Sequence, residues 1–111
     1  MARLKFHTLT EQMFYILLCL KTECCGTDIM DRIPVMTSGR VKVGAGTLYN
    51  LLEQFQDEGM IRQTGIQGRR IQYVLTDRGM EALCAEYQRL KWQMGDFERV
   101  KEKDLLTKVK S

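Results

Sequence analysis

Apolar residues fall into blocks whose spacing changes along the chain from helical to alternating and back. Residues 11–22 are apolar nearly all round, with Met13, Phe14, Ile16, Leu17, Leu18 and Leu20, and predict a buried central helix. Thr8 stands at capping-box spacing from Glu11, and Thr10 is a second candidate cap. Cys24, Cys25 and Gly26 read as a turn, after which Thr27 or Asp28 is placed to cap a second helix turning Ile29, Met30 and Ile33 inward. Pro34 has no N–H and clashes with the preceding turn, so this helix is expected to end or bend near Ile33. Ser38-Gly39 makes another turn, and Val41-Lys42-Val43 alternates as a short strand would.

Across residues 44–59, Leu48, Leu51, Leu52 and Phe55 recur at spacings of three and four. That stripe predicts a third helix, with Gly59 as its stop. The opposite face presents Gly46, Thr47, Asn50, Glu53 and Gln54. Residues 61–64 and 70–75 read as two strands joined by turn residues 65–68, with Ile71, Tyr73 and Leu75 sharing one face of the second. Thr76 then caps a last helix from residue 77 to about residue 103, leaving a tail at 104–111 expected to fray. Met80, Leu83, Tyr87, Leu90, Met94 and Phe97 alternate spacings of three and four along it, a heptad-like seam.

Composition adds limits. The chain has 111 residues, enough for one domain, and 44% hydrophobic with 28% charged residues is the balance of a folded protein. The net charge of +3 permits nucleic-acid binding without requiring it. Residues 62–78 are more telling: Arg62, Arg69, Arg70 and Arg78 stand against Asp77 alone. Residues 1–7 carry charges with no cleavage site after them, and the apolar run at 13–20 is too short to span a bilayer. A cytoplasmic protein without membrane attachment is expected, its cysteines reduced. Adjacent Cys24 and Cys25 are poor chelating geometry and no Cys-x-x-Cys occurs, so Cys19, Cys24, Cys25 and Cys84 are expected to be ordinary thiols; metal or thiol sensing is the competing reading. With one histidine, His7, and neither a phosphate-cradling loop nor a nucleophile elbow, no enzyme and no cofactor are expected.

Three helices, a hairpin and a long helix give a fold that is mainly α with a small β-hairpin (α+β). The order is that of a winged helix-turn-helix domain over residues 1–76. A C-terminal helix and tail follow over residues 77–111 in the same compact unit. In such a fold the second helix of the pair enters the major groove, led by its N-terminal residues. Its start here is Gly44-Ala45-Gly46-Thr47, small residues that let a phosphate approach free N–H groups. Thr47 and Tyr49 offer hydroxyls to phosphate, and Asn50 matches adenine. Arg69 and Arg70 at the wing, with Arg40 and Lys42 before the recognition helix, are expected to contact the backbone or a narrow minor groove. Each also has a plainer reading: Arg69 and Arg70 as a solvated hairpin tip, Tyr49 as packing at the helix edge, Asn50 as a solvated helix residue.

The ordered set Leu9-Thr10-Glu11, Phe14-Tyr15-Ile16-Leu17, Gly39-Arg40-Val41, Gly46-Thr47-Leu48-Tyr49 with Leu52, Gly59-Met60-Ile61, Arg69-Arg70, Tyr73, Leu75-Thr76 and Gly79 resembles the PadR-type winged-helix regulators across residues 8–100. The resemblance implies a sequence-specific transcriptional regulator, usually a repressor, that binds double-stranded operator DNA as a homodimer. The C-terminal helix, helped by the first, would form the dimer interface through Met80, Leu83, Tyr87, Leu90, Met94 and Phe97. Some members release DNA on binding a small molecule between protomers, so an effector is a further expected partner. The drug-binding branch carries a Trp where Leu90 stands here, and Trp92 lies two residues on, about 200° around the helix; multidrug binding is therefore not carried over. Glu53, Asp57 and Glu58 on the recognition helix oppose phosphate and sustain the alternative, a protein-interaction adaptor working through its C-terminal helix.

Overall fold

A computed structural model describes residues 8–110, with side chains described through residue 101; His7 and Ser111 lie outside the described residues. The elements are α1 (Glu11–Cys19), β1 (Cys24–Cys25), α2 (Gly26–Met36), α3 (Ala45–Asp57), β2 (Ile61–Gln67), β3 (Arg70–Leu75) and α4 (Asp77–Lys110). The architecture is mainly helical α+β, as the hydrophobic pattern implies, with a long C-terminal helix.

One core unites the first three helices, the sheet and the first turns of α4. Ile16, Leu17 and Leu20 meet Ile29 and Ile33 of α2, Leu48, Leu52 and Phe55 of α3, and Leu83 of α4. Thr10 caps α1, accepting from the Met13 backbone N–H at 3.2 Å; Thr8, the other candidate, is exposed before the helix. The expected start of α2 is corrected. Cys24 and Cys25 form a short strand instead of a turn, pairing antiparallel with Tyr73 and Gln72 of β3. The hairpin thus becomes a three-stranded sheet of order β1-β3-β2. Cys25, ahead of Thr27 and Asp28, is the N-cap of α2, and the Asp28 carboxylate accepts from the Cys25 backbone N–H at 3.1 Å.

α2 continues to Met36 with Pro34 inside it, three residues past Ile33. The left-handed backbone at Ser38 and Gly39 then turns the chain, and the Gly39 N–H donates to the Pro34 carbonyl at 2.7 Å. Val41-Lys42-Val43 forms no strand. Val41 and Val43 are buried, and the Val41 N–H is held by the Thr37 hydroxyl at 3.1 Å, which itself donates to the Ile33 carbonyl. The alternation records burial of two valines in a loop that joins no sheet among the described residues.

β2 extends to Gln67, so residues 65–67 belong to the ladder and the turn contracts to Gly68 and Arg69. Thr76 ties the wing to α4. Its hydroxyl accepts from the Gly79 N–H at 3.1 Å, capping α4, and donates to the Gly59 carbonyl at 2.6 Å. α4 runs 34 residues, about 50 Å, past residue 103. Glu86, 4% exposed, anchors it to the start of the chain, accepting from the Leu9 N–H at 3.0 Å and pairing with Arg89.

Candidate nucleic-acid interface

Burial of Leu48, Leu51, Leu52 and Phe55 fixes the roll of α3. It follows that Gly46, Thr47 and Asn50 are exposed and Tyr49 half exposed on the opposite side. Gly44 is the N-cap and supplies no side-chain hydrogen bond. The N–H groups of the first turn are thus left to an outside acceptor, with the helix dipole favouring an anion.

Between this helix and the wing lies a cleft of about 340 Å³, lined by Cys25, Gly26, Thr27, Tyr49, Arg69, Arg70, Ile71 and Tyr73. Three of the expected residues, Tyr49, Arg69 and Arg70, are brought together here. The cleft exists because β1 pairs with β3, which carries the first turn of α2 to the base of the wing. Gly26 leaves room for the Tyr49 ring: a Cβ on residue 26 would lie 2.6 Å from the Tyr49 hydroxyl oxygen. Gly26, Thr27 and Tyr73 are cleft residues that sequence reasoning missed. A glycine before Thr-Asp at a helix start was the available signal for the first two; the pairing that places Tyr73 is long-range.

Asn50 lines a neighbouring, wider concavity of about 600 Å³ with Tyr49, Glu53, Gln56, Asp57, Gln63 and Tyr73. The carboxylates there make the far half of α3 unfavourable for phosphate. Gly46 and Thr47 stand exposed at the helix start and line neither concavity, and neither do Arg40 and Lys42. Arg40 is turned toward α1, donating to the Tyr15 hydroxyl at 3.3 Å and to Glu11 at 3.4 Å. The Tyr15 hydrogen bond, with Glu11 beside it, pushes the pKa of the already charged guanidinium further up. The Lys42 side chain is exposed, while its carbonyl accepts from the Gln12 amide at 3.0 Å.

The expected seam on α4 divides. Leu83 is buried within the protomer and Met80 is partly buried. Tyr87, Met94 and Phe97 are exposed, with Leu90 partly so, on the stretch of α4 that leaves the core. Trp92 is also exposed and is not among the residues (Leu90, Gln93, Met94, Phe97 and Glu98) that form a shallow concavity on that stretch.

The cysteines are free thiols: Cys19, Cys24 and Cys25 are buried and Cys84 is exposed. Burial pushes the Cys24 thiol up to about 11, against the opposing charge of Arg32, and raises Cys19 as well. A protonated, buried thiol is a poor nucleophile. Among the described residues no group of three or more His, Cys, Asp or Glu side chains is placed to hold a metal, and no helix is long and apolar enough to cross a membrane.

The sequence matches the Transcriptional regulator PadR-like family over residues 16–85. The chain belongs to that family. No curated protein matches it. Among solved structures it is similar to a transcriptional regulator from Clostridium thermocellum, with 25% identity and TM-score 0.64 over 76% of this chain and 86% of that one. A PadR family transcriptional regulator from Eggerthella lenta shares the fold at 18% identity and TM-score 0.70, covering 80% of each chain. RosR of H. salinarum does so at 22% identity and TM-score 0.61, over 89% of this chain and 90% of that one. As a PadR-like protein this is a transcription regulator, a class that implies DNA binding and not enzymatic turnover.

Proposed function

We propose that this PadR-like protein is a homodimeric repressor that binds an operator duplex with the start of α3 in the major groove and the wing beside it. The observation that carries this reading is the cleft where Tyr49, Arg69 and Arg70 meet the first turn of α2. A phosphate seated there would receive a phenol hydroxyl, guanidinium donors and backbone N–H groups together, the donor types that position proteins on a duplex. Gly46, Thr47 and Asn50 would face base edges ahead of that anchor. Lys42 would add a phosphate contact at the entry to α3, and Arg40 would do so by exchanging its Tyr15 and Glu11 partners. The carboxylates of Glu53 and Asp57 limit the footprint on α3 to its first two turns.

Tyr87, Leu90, Met94 and Phe97 supply an apolar face that a second copy of α4 would cover, with Met80 and Leu83 anchoring its root in the protomer core. Two recognition helices held this way would meet half-sites about one helical turn apart, or a multiple of it. A small apolar effector seated against Leu90, Met94 and Phe97 would change the spacing and so shift the population away from the DNA-competent dimer.

Reversing Arg69 and Arg70 to Glu tests the reading against a protein-interaction adaptor. A duplex from upstream of the protein's own coding region is the probe. The account predicts loss of most affinity with the sedimentation of the dimer unchanged; a variant that binds as the parent does would remove the wing from the interface.

A further inference from the structure

β2 and β3 pair as Ile61 with Leu75, Arg62 with Val74 and Gln63 with Tyr73, and then as Gly65 with Gln72, Ile66 with Ile71 and Gln67 with Arg70. Thr64 is therefore an extra residue on β2, a bulge. Side chains alternate across a strand, so without the bulge Ile66 would share a face with Arg62 and Thr64. With it, Ile66 lies opposite Ile71, on the face that carries Tyr73 and Leu75. Ile71 and Tyr73 line the cleft against Tyr49. The bulge thus re-aims one isoleucine onto the side of the wing that faces the recognition helix. It does so at a cost, since the Thr64 hydroxyl is buried with no hydrogen-bond partner among the described residues.

Ile71 is half-buried, whereas Ile66 is 68% exposed. Among the described residues, Ile66 is neither in the core nor packed against it. The surroundings of Ile66 select its partner. Residues 61–75 contain Arg62, Arg69 and Arg70 and no acidic residue, a surround that suits a polyanion. The tip is thin: a Cβ on Gly65 or Gly68 would meet nothing within 4 Å, which lets the walls of a narrow groove close around it.

Building on the DNA-binding reading above, we infer that Ile66 is a specificity-determining residue that enters the minor groove and selects A·T pairs beneath the wing. The minor-groove edge of an A·T pair carries acceptors only, whereas guanine adds its N2 amino group. That amino group would project into the isoleucine and lose its water without gaining a partner. Apolar side chains flanked by basic residues are suited to press between minor-groove walls in this way.

The test uses a 30-base-pair duplex selected by the wild-type protein from a random pool, with each A·T pair replaced in turn by G·C and by I·C. Inosine presents the major-groove edge of guanine but lacks the N2 amino group. Wild type is expected to lose about tenfold in affinity at the wing positions with G·C and little with I·C. Ile66→Ala is expected to keep the wild-type melting temperature, bind the parent duplex several-fold more weakly and no longer distinguish G·C there. Equal loss on I·C and G·C, or full discrimination by Ile66→Ala, would overturn the role of Ile66 while leaving DNA binding standing. Failure of wild type to enrich any duplex would overturn both. A change of oligomeric state in Ile66→Ala with DNA binding intact would make the tip a protein contact and overturn the inference.

Discussion

The phenol ring of Tyr49 rests directly against Gly26, with its hydroxyl, Cζ and Cε1 all within 2.8 Å of where a Cβ on residue 26 would lie. This contact joins the recognition helix to the first turn of α2. It makes the position of one expected DNA-contacting residue depend on the absence of a side chain at another. The obstructing atoms are the far end of a half-exposed side chain, so Gly26→Ala is expected to fold and to displace Tyr49. DNA affinity should fall several-fold. In a Tyr49→Ala background the same change should cost little more, a non-additivity that a double-mutant cycle by anisotropy reads directly.

Gly79 presents the opposite case. A Cβ there would lie 2.1 Å from the Met60 carbonyl oxygen and 2.6 Å from Leu75 Cδ1. The first neighbour is backbone, held in place by the Thr76 N–H at 3.0 Å. Gly79→Ala must push the start of α4 away from the β2 entry, and is expected to destabilise the fold by about 3 kcal/mol or more. Thermal or urea unfolding measures it.

These two glycines show what the sequence discloses and what it withholds. The helical stripe of Leu48, Leu51, Leu52 and Phe55 and the alternation of Ile71, Tyr73 and Leu75 are local patterns that burial enforces, so α3 and β3 are legible. Thr76 is legible as a cap for the same local reason. Cys24 and Cys25 are not, because their strand exists only through pairing with Tyr73 and Gln72, far along the chain. Nor is the wing register, since strict alternation places Ile66 on the wrong face and only the bulge at Thr64 corrects it. Of the candidate site, residue types were readable. Their grouping was not: nothing local tells that Arg70 shares a cleft with Gly26, or that Arg40 turns toward Tyr15.

Glu86 gives a pH prediction. Hydrogen bonding from Arg89, joined by the Leu9 N–H and opposed by burial, holds its carboxyl below the usual carboxylate range. A depressed folded-state pKa contributes stability that is complete above the unfolded value of about 4.3 and fades as pH falls through the folded one. Glu86→Gln should therefore cost about 1–2 kcal/mol at neutral pH. The two unfolding midpoints should begin to converge as pH falls past the unfolded value of about 4.3 and meet only below the depressed folded value, where wild type has lost the same charge.

The apolar face of α4 predicts an assembly. Phe97 is 65% and Met94 62% exposed in the protomer. Replacing both with Glu removes nothing from the core and should leave monomer folding intact. Sedimentation should show a monomer where wild type is dimeric, and DNA affinity should drop by more than about tenfold as the second half-site loses its linked partner.

The proposed DNA interface rests on Arg69, Arg70 and the start of α3. Anisotropy titration of a duplex from upstream of the protein's own coding region, at several salt concentrations and against a scrambled duplex, tests it most directly. The account predicts tighter binding to the native duplex and a steep fall with salt. Arg70→Gln should reduce the log–log slope by about two, one phosphate per protomer of the dimer. An absence of binding even at low salt, or a slope that Arg70→Gln leaves unchanged, would contradict it.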